Sequence, residues 1–122
     1  MSKIKSVILI DNCDIDNFIN HKLLEYYGVL DIHTFKKAYD ALIFLRETTK
    51  DYQLILIGVY MPMMSGFEFI DEFQKLDLHK KHGKIILLSA FFSPIDKEIA
   101  STKNINLIEK PLTIENLILT IK

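Results

Sequence analysis

Four short stretches stand where side chains could do chemistry, each at the end of an apolar run, and three of them carry such a side chain. They are Asp11-Asn12 after Val7–Ile10, Gly58 after Leu54–Ile57, Ser89-Ala90 after Lys84–Leu88, and Lys110-Pro111 after Ile105–Glu109. An acid, a hydroxyl and an ammonium are what three of these ends offer a ligand. The fourth, Gly58, offers only hydrogen, so no nucleophile and no charged ligand comes from it. Taken singly, Asp11 reads as a turn acid, Ser89 as a hydroxyl bonded to backbone and Lys110-Pro111 as a plain turn. Other chemistries find little support. His21, His33, His79 and His82 are scattered, with no Ser-His-Asp set or metal spacing among them. The single Cys13 excludes a disulfide within the chain and a cysteine zinc cage. It lies near a helix start, where a thiol can become reactive, but an inert reduced thiol is the simpler reading.

The elements that must position these residues alternate regularly. Val7–Ile10 reads as a strand buried on both faces. Asp14 or Asp16 is placed to cap the helix that follows, whose Ile15, Phe18, Ile19 and Leu23 recur at helical spacing and are expected to face the core. Gly28 stops that helix, and Leu30–Thr34 alternates as a second strand. A second helix carries Ala38, Leu42 and Leu45 on one face, with Tyr39 and Ile43 beside them. Leu54–Gly58 is the third strand, and a helix opening near Ser65-Gly66 carries Phe69, Ile70, Phe73 and Leu76. Lys84–Ser89 is the fourth strand, and Ser93-Pro94 starts a short helix with proline at its first position. Ile105–Glu109 is the fifth strand, and Thr113 caps a last amphipathic helix through Ile114, Leu117, Ile118 and Ile121. Five strand–helix pairs with short connections predict a parallel sheet covered on both faces, with ligands at the carboxyl ends of the strands.

Composition bounds the rest. At 122 residues, 49% hydrophobic and 25% charged, the chain suits one globular domain. A net charge of −1 gives no overall field towards nucleic acid or an anionic membrane. The basic run Lys80-Lys81-His82-Gly83-Lys84 is expected to be a solvated loop. No segment reaches transmembrane length, and the amino terminus lacks a signal-peptide pattern. A cytoplasmic protein is the simplest expectation.

The strand ends together resemble the receiver domain of two-component response regulators, over essentially the whole length. The matching pieces are IDNCDIDNFI, MPMMSGFEF, LLSA and EKPLT, in that order. The resemblance implies an α/β, flavodoxin-like, doubly wound sheet of five parallel strands in the order 2-1-3-4-5 with helices on both faces, as a single receiver-like domain over 1–122 without an output domain. In that family an acidic pair binds magnesium, an aspartate accepts a phosphoryl group, and a hydroxyl and a lysine contact its oxygens. Carried over, these are Asp11 for the first acid, Ser89 for the hydroxyl and Lys110 for the lysine. The backbone carbonyl of Tyr60 remains as a metal ligand.

Three positions depart. Asn12 replaces the second acid, Gly58 stands at the phosphoacceptor position, and Leu107 stands where an aromatic rotor is expected. Three carboxylates thus fall to one, and magnesium, a hard cation that leaves its water reluctantly, is expected to bind weakly or not at all. Lys110, lacking a phosphoryl group, should turn to Asp11. Asp11, Asn12, Ser89 and Lys110 would form a remnant pocket with no catalytic residue and no cofactor.

Three readings follow. In the first, the chain is a stand-alone receiver-like module, not an enzyme, acting by phosphorylation-independent protein–protein interaction. Its partner would be a histidine kinase, a phosphorelay component or another signalling protein, with no nucleic acid or membrane involved and a homodimer allowed. Phe91-Phe92 lie beside the family's usual docking face, where either one of them supplies an anchor or both pack under the fourth helix. In the second, the chain is a flavodoxin-like enzyme or cofactor binder, but the loop DNCDID is acidic and lacks glycine, so it would repel a phosphate. A third reading makes Gly58 a change introduced to silence a working receiver. Asn12 and Leu107 argue against it, since one change would not alter three parts of the machine.

Overall fold

The structure, a computed structural model, describes residues 4–121. Five strands, β1 (Ser6–Ile10), β2 (Asp31–Phe35), β3 (Leu54–Gly58), β4 (Lys84–Ser89) and β5 (Asn106–Glu109), pair in parallel in the order β2-β1-β3-β4-β5. Among the described residues four helices connect them, α1 (Asp14–Tyr26), α2 (Ala38–Glu47), α3 (Gly66–Lys75) and α4 (Pro94–Lys103), and α5 (Ile114–Ile121) follows β5, with one 3-10 turn at Leu78–Lys80. Among the described residues no helix is long and apolar enough to cross a membrane.

The unbroken apolar runs of the central strands feed two cores by simple alternation. Ile8, Ile10, Ile55, Ile57, Ile85 and Leu87 point to one face, where α2 and α3 add Ala41, Leu45, Phe69 and Phe73. Val7, Leu9, Leu54, Leu56, Ile86 and Leu88 point to the other, under Leu24 of α1 and Leu117 of α5. A one-residue slip of any strand would exchange its two sets, so the register is held from both sides. It pairs Ile10 with Phe35 and Ile57, Gly58 with Leu88, and Ser89 with Glu109, bringing the four candidate strand ends to one edge.

Helix starts follow local chemistry. Ser65 and Ser93 each cap a helix reciprocally with Glu68 and Asp96, and Thr113 does so with Asn116. Gly66 is required by close approach, since a Cβ there would meet the Gly58 carbonyl at 2.5 Å and Leu87 at 2.7 Å. Gly28, at φ +97°, closes α1 as expected.

Three expectations need correction. The residue capping α1 is Cys13, without a side-chain cap bond, and Asp14 and Asp16 fall inside the first turn. Asp11 reaches over instead, its Oδ1 accepting the Cys13 N–H at 3.0 Å. Secondly, the apolar repeat of α1 divides: Ile15, Phe18 and Ile19 are 69, 64 and 54% exposed, while Leu23 packs against the core and Asn17, Asn20 and Leu24 are buried. Asn17 is satisfied there by donating to the Asp11 carbonyl at 2.7 Å. Thirdly, the basic run is not simply a solvated loop. His82 is 5% exposed, and its Nδ1 accepts the Tyr52 N–H at 3.0 Å while its Nε2–H donates to the Leu45 carbonyl at 2.9 Å. Those two backbone partners set the tautomer, because an N–H must donate and a carbonyl must accept.

Candidate functional site

The carboxyl edge of the sheet opens into a cavity of about 190 Å³ lined by Asp11, Gly58, Tyr60, Ser89 and Lys110, with Asn12 and Cys13 at its rim. Backbone pairing continues past the strands and sets its walls: Asp11 N–H donates to Phe35, Val59 N–H to Leu88 and Lys110 N–H to Ser89. The Lys110-Pro111 peptide is cis.

Asp11 is 5% exposed, and both its oxygens are used. Oδ1 takes the Cys13 N–H, and Oδ2 accepts from Lys110 Nζ at 2.7 Å. Lys110 also donates to Asp16 Oδ2 at 2.8 Å, so its ammonium lies between two carboxylates. Burial works against the charge on Lys110, but the hydrogen bonds to Asp11 and Asp16 outweigh it and hold its pKa above the ordinary lysine range. The expected Lys110–Asp11 contact is therefore present. Asp16, in the first turn of α1 and read as a cap, is the partner that sequence reasoning missed.

Gly58 faces this pair. A Cβ built on it would lie 3.4 Å from Asp11 Oδ2 and 3.7 Å from Met61, ordinary contact distances, so the backbone leaves room for a side chain that the sequence does not supply. Ser89 is buried and turned aside, its hydroxyl donating to the Phe91 carbonyl at 2.8 Å. Asn12 is exposed at the edge. Leu107, on β5, packs against the α2/α3 core and carries no ring to swing.

As donors for magnesium these groups fit poorly. Asp11 is spent on a backbone N–H and an ammonium, Asn12 is neutral, and position 58 contributes nothing, which leaves the Tyr60 carbonyl without a charged companion. Among the described residues no three His, Cys, Asp or Glu side chains come together in a metal-holding group.

A second missed contact roofs the cavity. The Tyr60 hydroxyl donates to Asp96 Oδ2, tying the loop after β3 to the start of α4. That bond is the main cause lowering the Asp96 pKa and raising that of Tyr60. Asp96 also closes the Ser93 cap, and is 6% exposed. The two phenylalanines before α4 part company: Phe92 is buried in the α2/α3 core, whereas Phe91 is 66% exposed, as is Ile95 in the first turn of α4 at 69%.

Comparison with known proteins places these features. The family model for the response regulator receiver domain matches residues 7–122. A two-component response regulator from Cytophaga hutchinsonii is 30% identical, with a TM-score of 0.86 over 96% of this chain and 93% of that one. The receiver domain of the Arabidopsis thaliana histidine kinase CKI1, complexed with Mg2+, shares the fold at 20% identity and a TM-score of 0.85, over 97% of this chain and 92% of that one. The peroxide stress-activated histidine kinase mak1 of Schizosaccharomyces pombe is 27% identical over 113 residues, covering 87% of this chain. This chain spans 7% of that kinase's length.

Proposed function

The chain belongs to the response regulator receiver family, and from that premise we propose that it is a receiver of two-component signalling that acts by protein–protein contact without being phosphorylated. One observation carries the reading: where the family's acceptor stands, Gly58 offers no nucleophile, and the lysine that would meet a phosphoryl group is held between Asp11 and Asp16. Phosphoryl transfer depends on positioning and on neutralising charge at the transferred oxygens. Asp11, Asn12, Ser89 and Lys110 are then a remnant pocket. It offers no nucleophile at position 58 and a poor donor set for magnesium, and its hydroxyl is turned to backbone.

Output must then come from surface already formed. The Tyr60–Asp96 bond and the Ser93 cap hold the start of α4, and exposed Phe91, four residues before exposed Ile95, presents an aromatic anchor of the kind that dominates interfaces. The match to part of a histidine kinase supports a partner within a two-component or phosphorelay system. We place this contact in the cytoplasm, with no enzymatic step in this chain.

The test is incubation with magnesium and acetyl phosphate, followed by intact-mass measurement and a two-dimensional NMR spectrum. We expect no adduct and no shifted peaks. A stable phosphoryl adduct on the folded domain would overturn the reading and point to another acceptor, such as Ser65 or Ser89.

A further inference from the structure

The outward stripe of α1 is the feature that the pocket does not explain. Ile15, Phe18 and Ile19 stand in water while Asn17 and Asn20 are buried beneath them, the reverse of an ordinary surface helix. Apolar side chains grouped on one helix face mark a contact surface. Beside Phe18 a shallow groove of about 350 Å³ runs between α1 and β2, lined by His21, Lys22 and Thr34. Nothing about apolar exposure alone says what covers the stripe. The order of charges along it does.

Asp14, Phe18 and Lys22 are four residues apart and form one ridge of the helix, reading minus, ring, plus. Turned about a two-fold axis through Phe18, the ridge reads plus, ring, minus. Laid antiparallel on itself, it sets each Asp14 against the Lys22 of the other copy, with the two Phe18 rings at the centre and Ile15 and Ile19 alongside. Because the spacings on either side of Phe18 are equal, both ion pairs form at once, as an isologous interface requires. Antiparallel helices also set opposite ends of their dipoles together. The present partners of these charges are exposed and exchangeable: Asp14 pairs with Lys36 at 3.2 Å and Lys22 with Glu25 at 3.3 Å. Lys22 already lies 5.7 Å from the centre of the Phe18 ring, poised at the seam.

We infer that α1 is a self-association surface, and that a second copy of this chain packs on it antiparallel, Phe18 on Phe18, with reciprocal Asp14–Lys22 pairs. This leaves Phe91 and Ile95 free for a different protein.

Sedimentation velocity of the purified chain over a concentration series, at low and moderate salt, tests it. The wild type should pass from monomer to dimer with rising concentration, and more readily at low salt. Phe18→Glu should remain monomeric throughout with an unchanged circular dichroism melt, since the side chain is mostly exposed. Asp14→Lys and Lys22→Glu should each weaken the dimer about tenfold, because symmetry removes two pairs at a stroke. The double variant Asp14→Lys/Lys22→Glu should return to within about threefold of the wild type. A wild type that is monomeric at every concentration would overturn the inference, as happens if the stripe serves a different protein. So would a dimer that survives Phe18→Glu, or a double variant no better than the singles. No phosphodonor enters the experiment, so its failure is separate from failure of the proposed function.

Discussion

The two ends of the sheet are braced by opposite kinds of polar contact. At the carboxyl end a charged set, Lys110 between Asp11 and Asp16, sits partly open to water. At the amino end an imidazole, His82, ties α2 to the starts of β3 and β4 through two backbone groups in a nearly closed corner. Tyr52 and Phe73 flank its ring at 6.0 and 6.4 Å between centres. Ion pairs return in desolvation much of what they gain, so the clamp serves mainly to fix geometry. A buried ring that satisfies an N–H and a carbonyl gains little on paper, but its loss strands both. The pocket is thus the expendable end of the molecule, and the His82 corner the structural one.

His82→Ala should be the most damaging single change, costing about 3–5 kcal/mol through a cavity and two unsatisfied backbone groups, as read by urea unfolding. A loss below about 1 kcal/mol would erase the contrast between the two ends.

Asp11→Ala should cost about 2 kcal/mol, since it frees the Cys13 N–H and leaves Lys110 with Asp16 alone. Asp11→Asn should cost clearly less, because an amide oxygen still accepts. If Asp11→Ala outweighed His82→Ala, the ranking of the two ends would be reversed. The Lys110 contribution has a defined sign. Its folded pKa is raised above 10.5, so the stabilisation is complete below that pH and is lost as pH rises through the higher folded value. Unfolding curves of the wild type and Lys110→Met, run from neutral pH upward, should therefore converge only at the alkaline end.

Gly58→Asp should fold, with a penalty of about 1 kcal/mol from setting a second carboxylate beside Asp11. It should phosphorylate slowly, because Asn12 still leaves magnesium short of a ligand. Adding Asn12→Asp should raise both metal affinity and phosphorylation rate, with structural readout still weak while Leu107 has no ring. Fast phosphorylation of the single variant, with peaks moving along α4 and β5, would show that the pocket is nearer to function than its contacts indicate.

Tyr60→Phe should change stability least, as Tyr60 is mostly exposed. Its signature is local: with the principal hydrogen bond gone, the Asp96 pKa should climb back towards 3.8, and a carboxyl NMR titration would follow it. In the wild type the Asp96 contribution is present above 3.8 and fades as pH falls through the lowered folded value. An unmoved Asp96 titration would mean that the Ser93 cap, not Tyr60, governs the start of α4.

What the amino-acid sequence by itself determined is whatever depends on neighbours along the chain. Apolar runs name the five strands, Ser65, Ser93 and Thr113 mark their helices, and the lack of a side chain at Gly58 is a fact of residue type alone. The Lys110–Asp11 contact is legible through the family resemblance, since two charges without their usual partners at the same edge of the sheet have few other places to turn. Periodicity, however, says that a helix has an apolar stripe and not which way the sheet lies, so the exposure of Ile15, Phe18 and Ile19 belongs to the tertiary fold. Asp16 meets Lys110 across 94 residues, and only the β4–β5 and β1–β3–β4 registers bring them together. His82 is one more member of a basic run until the fold sets the Tyr52 N–H and the Leu45 carbonyl on either side of it. Phe91 and Phe92 are equivalent as neighbours in sequence, and tertiary packing alone buries one and exposes the other, because adjacent residues point in different directions and the core lies in only one of them.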